Sequence, residues 1–325
     1  MGKIKQGIRN LDTEHMIKRS FTLFNLFAVF TLSCLVWPQL MQQAQAGVTV
    51  TDDAGNVISL ATPAKRIISL SPHVTELIFA AGGGDKIIGT VNYSDYPAAA
   101  KAIPRVGDNR QLDMERIIAM KPDLLLVWMH GAFERQLEPL RKSGIPYFFS
   151  EPHKLEQIPD TLIKLGSLFG TEQAAQLSAE TFRQRLAQLR MRYQHKSTVR
   201  TFYQVWGKPL YTLNDSNIVS DVIRMCGGEN IFGRQSVAAP TVSAEAVILE
   251  NPELIITGDS KNQGASGVEQ WKPFSTMLAV KNHNLIAIDG DQLNRAGPRI
   301  IDGATLVCEA MDQARKHRNA PGAKP

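Results

Sequence analysis

The chain has 325 residues, 43% of them hydrophobic and 21% charged, which excludes a disordered or fibrous protein and leaves room for two modest globular domains. Its formal net charge is +5, but five of the 36 Lys and Arg residues and only two of the 31 Asp and Glu residues fall in positions 1–46, so the remainder carries just +2. No basic stripe with interleaved aromatics is left to bind nucleic acid.

Residues 1–46 read as an export signal. Lys18 and Arg19 precede an apolar run over 21–37, and Ala44-Gln45-Ala46 places small residues at the spacing a signal peptidase requires. Cleavage is expected after Ala46, with either Met1 or Met16 as the start; a membrane anchor is the competing reading of the apolar run. Export implies the periplasm, an oxidising compartment. Cys34 leaves with the signal, and Cys226 and Cys308 remain as a pair expected to form a disulfide, the alternative being two buried thiols.

Next come two alternating segments, 48–51 and 57–60, around the turn cluster Asp52-Asp53-Ala54-Gly55-Asn56, the pattern of a hairpin. From Arg66 onward short apolar runs at 67–70, 87–91, 124–128 and 147–149 alternate with helical stretches, as in a parallel α/β sheet. Gly82-Gly83-Gly84 follows a helix rather than preceding one, so it is a helix stop and not a phosphate loop. Residues 171–196 lack Gly and Pro and carry Leu177, Phe182, Leu186 and Leu189 on a helical period, predicting one long helix. Strand-helix alternation then resumes at 199–206, 254–257 and 285–288. A last helix is expected over 298–316, followed by a disordered tail from His317.

An internal repeat runs through this pattern. Residues 113–126 recur as 243–256: Asp113 and Ser243 are N-cap residues, Glu115 and Glu245 lie in the first helical turn, and Pro122 and Pro252 precede an apolar strand. A second echo pairs 76–88 with 221–232. Two related lobes on either side of the long helix follow, with expected bounds 47–166 and 197–325 around a linking segment at 167–196. Glu115 and Glu245 suit the helix dipole wherever they point, and they also form a matched pair of carboxylates able to dock on a two-fold partner.

No GxxxxGK[ST], GxSxG, HExxH or CxxC occurs, which removes the common nucleotide, hydrolase, metalloprotease and redox readings. The six histidines after residue 46 show no metal-pair spacing, so no dedicated metal site is expected. His73 stands apart because it follows a strand at its carboxyl end, where open α/β sheets bind ligands. It is a ligand contact or candidate axial ligand, against the plainer reading of a satisfied imidazole. Trp128, Trp206 and Tyr93 end or follow strands and are candidates for lining the same crevice, with core packing as the rival. Arg295 lies in a loop before the last helix, placed to meet an anionic or amide group.

These segments resemble the periplasmic binding proteins for cobalamin, ferric siderophores and haem that serve ABC importers. The matching stretches include Arg66 to Pro72 with Thr75-Glu76, Tyr93 to Pro97, Glu115-Arg116-Ile117, Lys121-Pro122-Asp123, Cys226 to Phe232 and Arg295 to Ile300, and they are most similar to cobalamin-binding members. The resemblance implies two Rossmann-like lobes with mainly parallel sheets joined by a single long helix, and no cofactor beyond the transported ligand. It implies a monomer that binds cobalamin through Tyr93, Trp128, Asp291 and Arg295 and docks Glu115 and Glu245 on a homodimeric permease at the inner membrane. Asp108-Asn109-Arg110 stands where the cobalamin binder carries a tryptophan, and Gln292 replaces another. Asn109 and Arg110 therefore join the candidate contacts, and a related corrinoid, haem or a ferric siderophore remains the alternative ligand. A periplasmic enzyme acting on a cofactor through His73, Asp95 or Asp291 is the reading from a different class.

Overall fold

The computed structural model describes residues 47–108, 110–128, 137–140, 142–259 and 267–318; the expected signal at 1–46, Asn109 and the tail beyond Arg318 lie outside them. Strands β1 (Val48–Thr51) and β2 (Val57–Leu60) form the expected antiparallel hairpin. Asp52 ties its turn: one carboxylate oxygen accepts from Ala54 N (3.0 Å) and Asn56 N (2.7 Å), and the other accepts from Phe149 N at 3.1 Å, fastening the hairpin to the sheet behind it.

The first sheet comes from β3 (Ile67–Ser69), α1 (Pro72–Ala80), β4 (Ile87–Thr90), α2 (Met114–Ala119), β5 (Leu124–Val127) and β6 (Tyr147–Phe149). Two helices follow, α3 (Gln157–Phe169) and α4 (Glu172–Tyr193). The second sheet comes from β7 (Val199–Gln204), a two-residue hairpin β8 (Trp206–Gly207) and β9 (Leu210–Tyr211), α5 (Ile218–Met225), β10 (Gly228–Asn230) and α6 (Ala244–Glu250). It closes with β11 (Leu254–Asp259), α7 (Leu278–Lys281), β12 (Leu285–Asp289), α8 (Gly290–Leu293) and α9 (Ile300–Arg318). Both sheets are parallel, and their orders, β4-β3-β5-β6 and β10-β7-β11-β12, are the same once strands are counted within each lobe.

The repeat read from the sequence is therefore a structural duplication, and it extends to single hydrogen bonds. Asp113 and Ser243 cap α2 and α6 by accepting from the N–H three residues on, at 3.0 and 3.1 Å. Arg66 donates to the Met120 carbonyl and Arg200 to the Glu250 carbonyl, each at 2.6 Å. Asp123 accepts from Arg66 N and Glu253 from Arg200 N, both at 3.0 Å. Lys121 and Asn251, the matching residues after each helix, both take left-handed φ, 47° and 45°.

The long helix expected over 171–196 is α4, and the residues before it in the linking segment belong to a separate helix. Residues up to Phe169 close α3, Gly170 breaks it with φ +66°, and α4 then covers 22 residues, about 33 Å at 1.5 Å per residue. At Gly166 a Cβ would lie 2.4 Å from Ala175 Cβ, so glycine lets α3 and α4 cross closely. Arg183 pairs with Asp160 and Arg190 with Glu156 on the α3 side, while Arg185 pairs with Asp302 of α9, so α4 is tied to elements of both lobes. Within the second lobe a disulfide joins Cys226, at the end of α5, to Cys308 in α9, 82 positions further along the chain, with Cα atoms 4.8 Å apart. The last helix starts later than expected and runs on through Arg318, taking in His317, whose ring meets Asn284 Oδ1 at 2.7 Å. No helix among the described residues is long and apolar enough to cross a membrane.

Candidate functional site

A cavity of about 280 Å3 lies between the two lobes, walled by both. His73, Tyr93, Trp128 and Glu151 come from the first lobe, and Asn217, Ile218, Asn294 and Arg295 from the second. In the first lobe these side chains follow β3, β4, β5 and β6 at their carboxyl ends, where the loops of a parallel sheet gather.

Pro72 opens α1 with its ring at the position where an N–H would be unpaired, which puts His73 in the first turn. The His73 ring is buried: Nδ1 lies 2.7 Å from Ser71 Oγ and Nε2 3.4 Å from the Ser150 carbonyl. A carbonyl only accepts, so Nε2 carries the proton and Nδ1 accepts from the serine hydroxyl. Burial holds this imidazole down at about 4, helped by the positive charge of Arg295 and opposed by the Ser150 carbonyl, so it is neutral at pH 7. Its edge meets the face of Trp128, centroids 5.7 Å apart and planes at 83°. With both nitrogens engaged, His73 braces Trp128 from inside the wall and has no lone pair directed at the cavity.

Tyr93 takes a left-handed φ of 66°, which costs a bulky residue about 1 kcal/mol or more and is held by neighbours. Its carbonyl accepts from Arg295 Nη2 at 3.2 Å, and its side chain stands out toward solvent, 67% exposed. Arg295 is nearly saturated. Its guanidinium donates to Glu76 Oε1 at 3.0 Å, pairs with Asp291 at 2.7 Å and approaches Asp95 at 3.5 Å. Arg299 grips both oxygens of Glu76 at 2.6 and 2.8 Å and lies over the Tyr96 ring, 4.1 Å from its centroid. Asp291 sits above its ordinary range because it is partly buried, an effect that Arg295 opposes. The loop bearing Arg295 is seated through Asn294, whose Oδ1 accepts from the buried Tyr203 hydroxyl; a Cβ at Gly258 would come within 2.4 Å of that hydroxyl oxygen.

The expected site residues thus divide. His73, Tyr93, Trp128 and Arg295 meet at one cavity, and Asp291 reaches it through Arg295. Arg295, expected to meet an anionic or amide group of the ligand, is already paired with protein carboxylates. Trp206 is not in this wall; it begins the β8–β9 hairpin, 43% exposed, and its indole N–H donates to the Lys208 carbonyl at 3.0 Å. Arg110 does not line this cavity; it is exposed, in a turn where the Asp108 carboxylate accepts from the N–H groups of Arg110 and Gln111. Glu76, Glu151, Asn217 and Asn294 were not anticipated as site residues. Glu115 and Glu245 are exposed at corresponding places in α2 and α6, and the Glu245 carboxyl sits below its ordinary range because its own N–H and the Ser243 hydroxyl donate to it. No group of three or more His, Cys, Asp or Glu that could hold a metal ion occurs among the described residues.

This architecture has known relatives. The sequence profile described as "Periplasmic binding protein" matches residues 67–292. The vitamin B12-binding protein of Vibrio cholerae serotype O1 is 38% identical over 255 residues, 78% of this chain and 91% of that protein. That of Yersinia pestis is 40% identical over 251 residues, 77% and 88% of the two chains. The crystal structure of the periplasmic vitamin B12 binding protein BtuF of Vibrio cholerae superposes with a TM-score of 0.73 at 38% identity, covering 78% of this chain and 99% of that one. The periplasmic haem-binding protein RhuT of Roseiflexus sp. RS-1 shares the fold, with a TM-score of 0.66 at 24% identity over 77% of this chain and 99% of that one. The chain belongs to the periplasmic binding protein family, a family of binding proteins rather than enzymes.

Proposed function

We propose that this member of the periplasmic binding protein family captures a cobalamin-type corrinoid between its lobes in the periplasm and passes it to an ABC importer. The observation that carries the reading is the 38–40% identity to vitamin B12-binding proteins across more than three quarters of the chain, through both sheets. The cleft chemistry favours the same ligand. Arg295 is the only Lys or Arg among the described residues lining the cavity, and it is committed to Glu76 and Asp291. A porphyrin with two carboxylates or an anionic ferric chelate finds no ready counter-charge there, whereas a corrinoid edged with neutral amides meets Asn217, Asn294 and backbone groups.

Ligands of this class are bulky, and the enclosed floor of about 280 Å3 is smaller than a typical pocket for a drug-sized molecule, so much of the ring rests against the open rim. Trp128 supplies rigid apolar area on the floor and exposed Tyr93 on the rim, shedding water as the ring enters. His73 acts from behind Trp128, and axial coordination by it would require breaking one of its two contacts. Glu115 and Glu245, one on each lobe, are the carboxylates that meet a homodimeric permease, and the binding protein itself acts as a monomer.

Titration calorimetry with cyanocobalamin tests this. The expected result is saturable binding of one corrinoid per chain. Silence with cyanocobalamin together with a shifted Soret band on adding haemin would transfer the assignment to haem.

A further inference from the structure

We infer that Glu76 and Asp221 are a duplicated pair of positioning residues that lock the spacing between the two lobes and hold the cleft walls in register for the ligand. The two acids are equivalent in the repeat. Thr75-Glu76-Leu77-Ile78 in α1 corresponds to Ser220-Asp221-Val222-Ile223 in α5, and each helix follows the first strand of its own sheet. Both side chains are largely buried, 2% and 11% exposed, among apolar neighbours where an unpartnered carboxylate would cost several kcal/mol.

Each acid finds its nearest partners in the opposite lobe, and in the same place. Glu76 of the first lobe is held by Arg295 and Arg299, from the segment that follows the second sheet's last strand β12. Asp221 of the second lobe is held by Lys154 Nζ at 3.2 Å and Leu155 N at 3.0 Å, from the loop that follows the first sheet's last strand β6. The exchange is reciprocal: the first helix of each lobe presents a buried anion to the last loop of the other. Neither the disulfide, which lies within the second lobe, nor the exposed ion pairs along α4 does this. Rolling one lobe on the other would strand both carboxylates in a poorly solvated interface.

The two locks are unequal. Glu76 receives three hydrogen bonds from guanidinium groups whose side chains are only 13% and 16% exposed, whereas Asp221 relies on one half-exposed ammonium, a backbone N–H and the more distant Arg224 of its own helix. The Glu76 edge is thus the tighter one. It is also coupled to the cavity, because Arg295 lines the wall and holds the Tyr93 carbonyl.

The locking of the lobes stands independently of the ligand; its effect on release rests on the corrinoid reading above. The test places spin labels on the full mature chain through Lys101→Cys and Lys272→Cys, exposed positions on the first and second lobes. Glu76→Gln should broaden the inter-lobe distance distribution of the ligand-free protein, Asp221→Asn should broaden it less, and Glu76→Asp should restore part of the width. Release of cyanocobalamin should quicken about tenfold or more in Glu76→Gln, the change that losing a charge-assisted buried contact brings. Arg299→Lys, which keeps a cation beside Glu76, provides an intermediate variant if Glu76→Gln folds poorly. Distances in the Gln, Asn and Lys variants matching the parent, whatever their melting temperatures, would overturn the proposal. A parent that ignores cyanocobalamin would sink the corrinoid reading alone, with the distances still deciding the lock.

Discussion

His73 and Trp128 meet edge to face at the floor of the cleft, and the indole in the wall is braced by an imidazole held neutral by burial. An aromatic floor whose support carries no charge presents an apolar surface to the ligand over the whole physiological pH range.

The support should be visible in stability. In the unfolded chain His73 takes up a proton near 6.5, whereas in the folded chain it does so only near 4. Between these values the unfolded state holds more protons, so stability falls as the pH drops from 6.5 to 4, by on the order of 3 kcal/mol, and is fully present above 6.5. Urea midpoints of the parent and of His73→Gln across pH 4–7 check this: the extra slope should vanish in the variant, and equal slopes would show that His73 is not a buried neutral group.

Trp128 and Trp206 should behave differently despite their similar exposure. Trp128→Ala removes cavity wall and is expected to weaken corrinoid binding by about 2 kcal/mol, roughly 30-fold. Trp206→Ala, outside the wall, should leave affinity within about threefold. Calorimetry on the two variants separates them, and equal losses would put Trp206 in the binding surface after all.

The Cys226–Cys308 link closes 82 residues within the second lobe, which on chain entropy stabilises that lobe by about 4 kcal/mol. Reduction, or the double Ala variant, should lower the urea midpoint while leaving corrinoid affinity at low denaturant unchanged, since neither cysteine lines the cavity.

Glu115→Gln and Glu245→Gln are expected to leave corrinoid affinity as in the parent but to reduce stimulation of the importer's ATPase, the double variant more than either single one. The difference from the parent should shrink with added salt, because screening removes the charge steering that the carboxylates supply. A double variant that stimulates normally would remove these carboxylates from the docking surface.

Much of this was legible in the sequence because duplication imposes order that composition alone does not. The 130-residue offset brought Asp113 and Ser243, Glu115 and Glu245 into correspondence, and the structure carries the match down to Arg66 and Arg200 on equivalent carbonyls. The hairpin around Asp52 and the disulfide were readable from turn residues and cysteine count. The expected run at 199–206 was too long: the strand ends at Gln204, and Trp206 begins the short β8–β9 hairpin that turns at Lys208-Pro209. Glu76 and Asp221 each left a trace, the single acid of a largely buried helix. Their partners did not, because Glu76 and Arg295 are separated by 219 residues and no local period reports such a contact.

The most direct test of corrinoid capture is the metal content of the purified protein after incubation with equimolar cyanocobalamin and haemin followed by gel filtration. Retention of one cobalt per chain with little iron, sharply reduced in Trp128→Ala, is the predicted result; retained iron without cobalt, or neither metal, would contradict it.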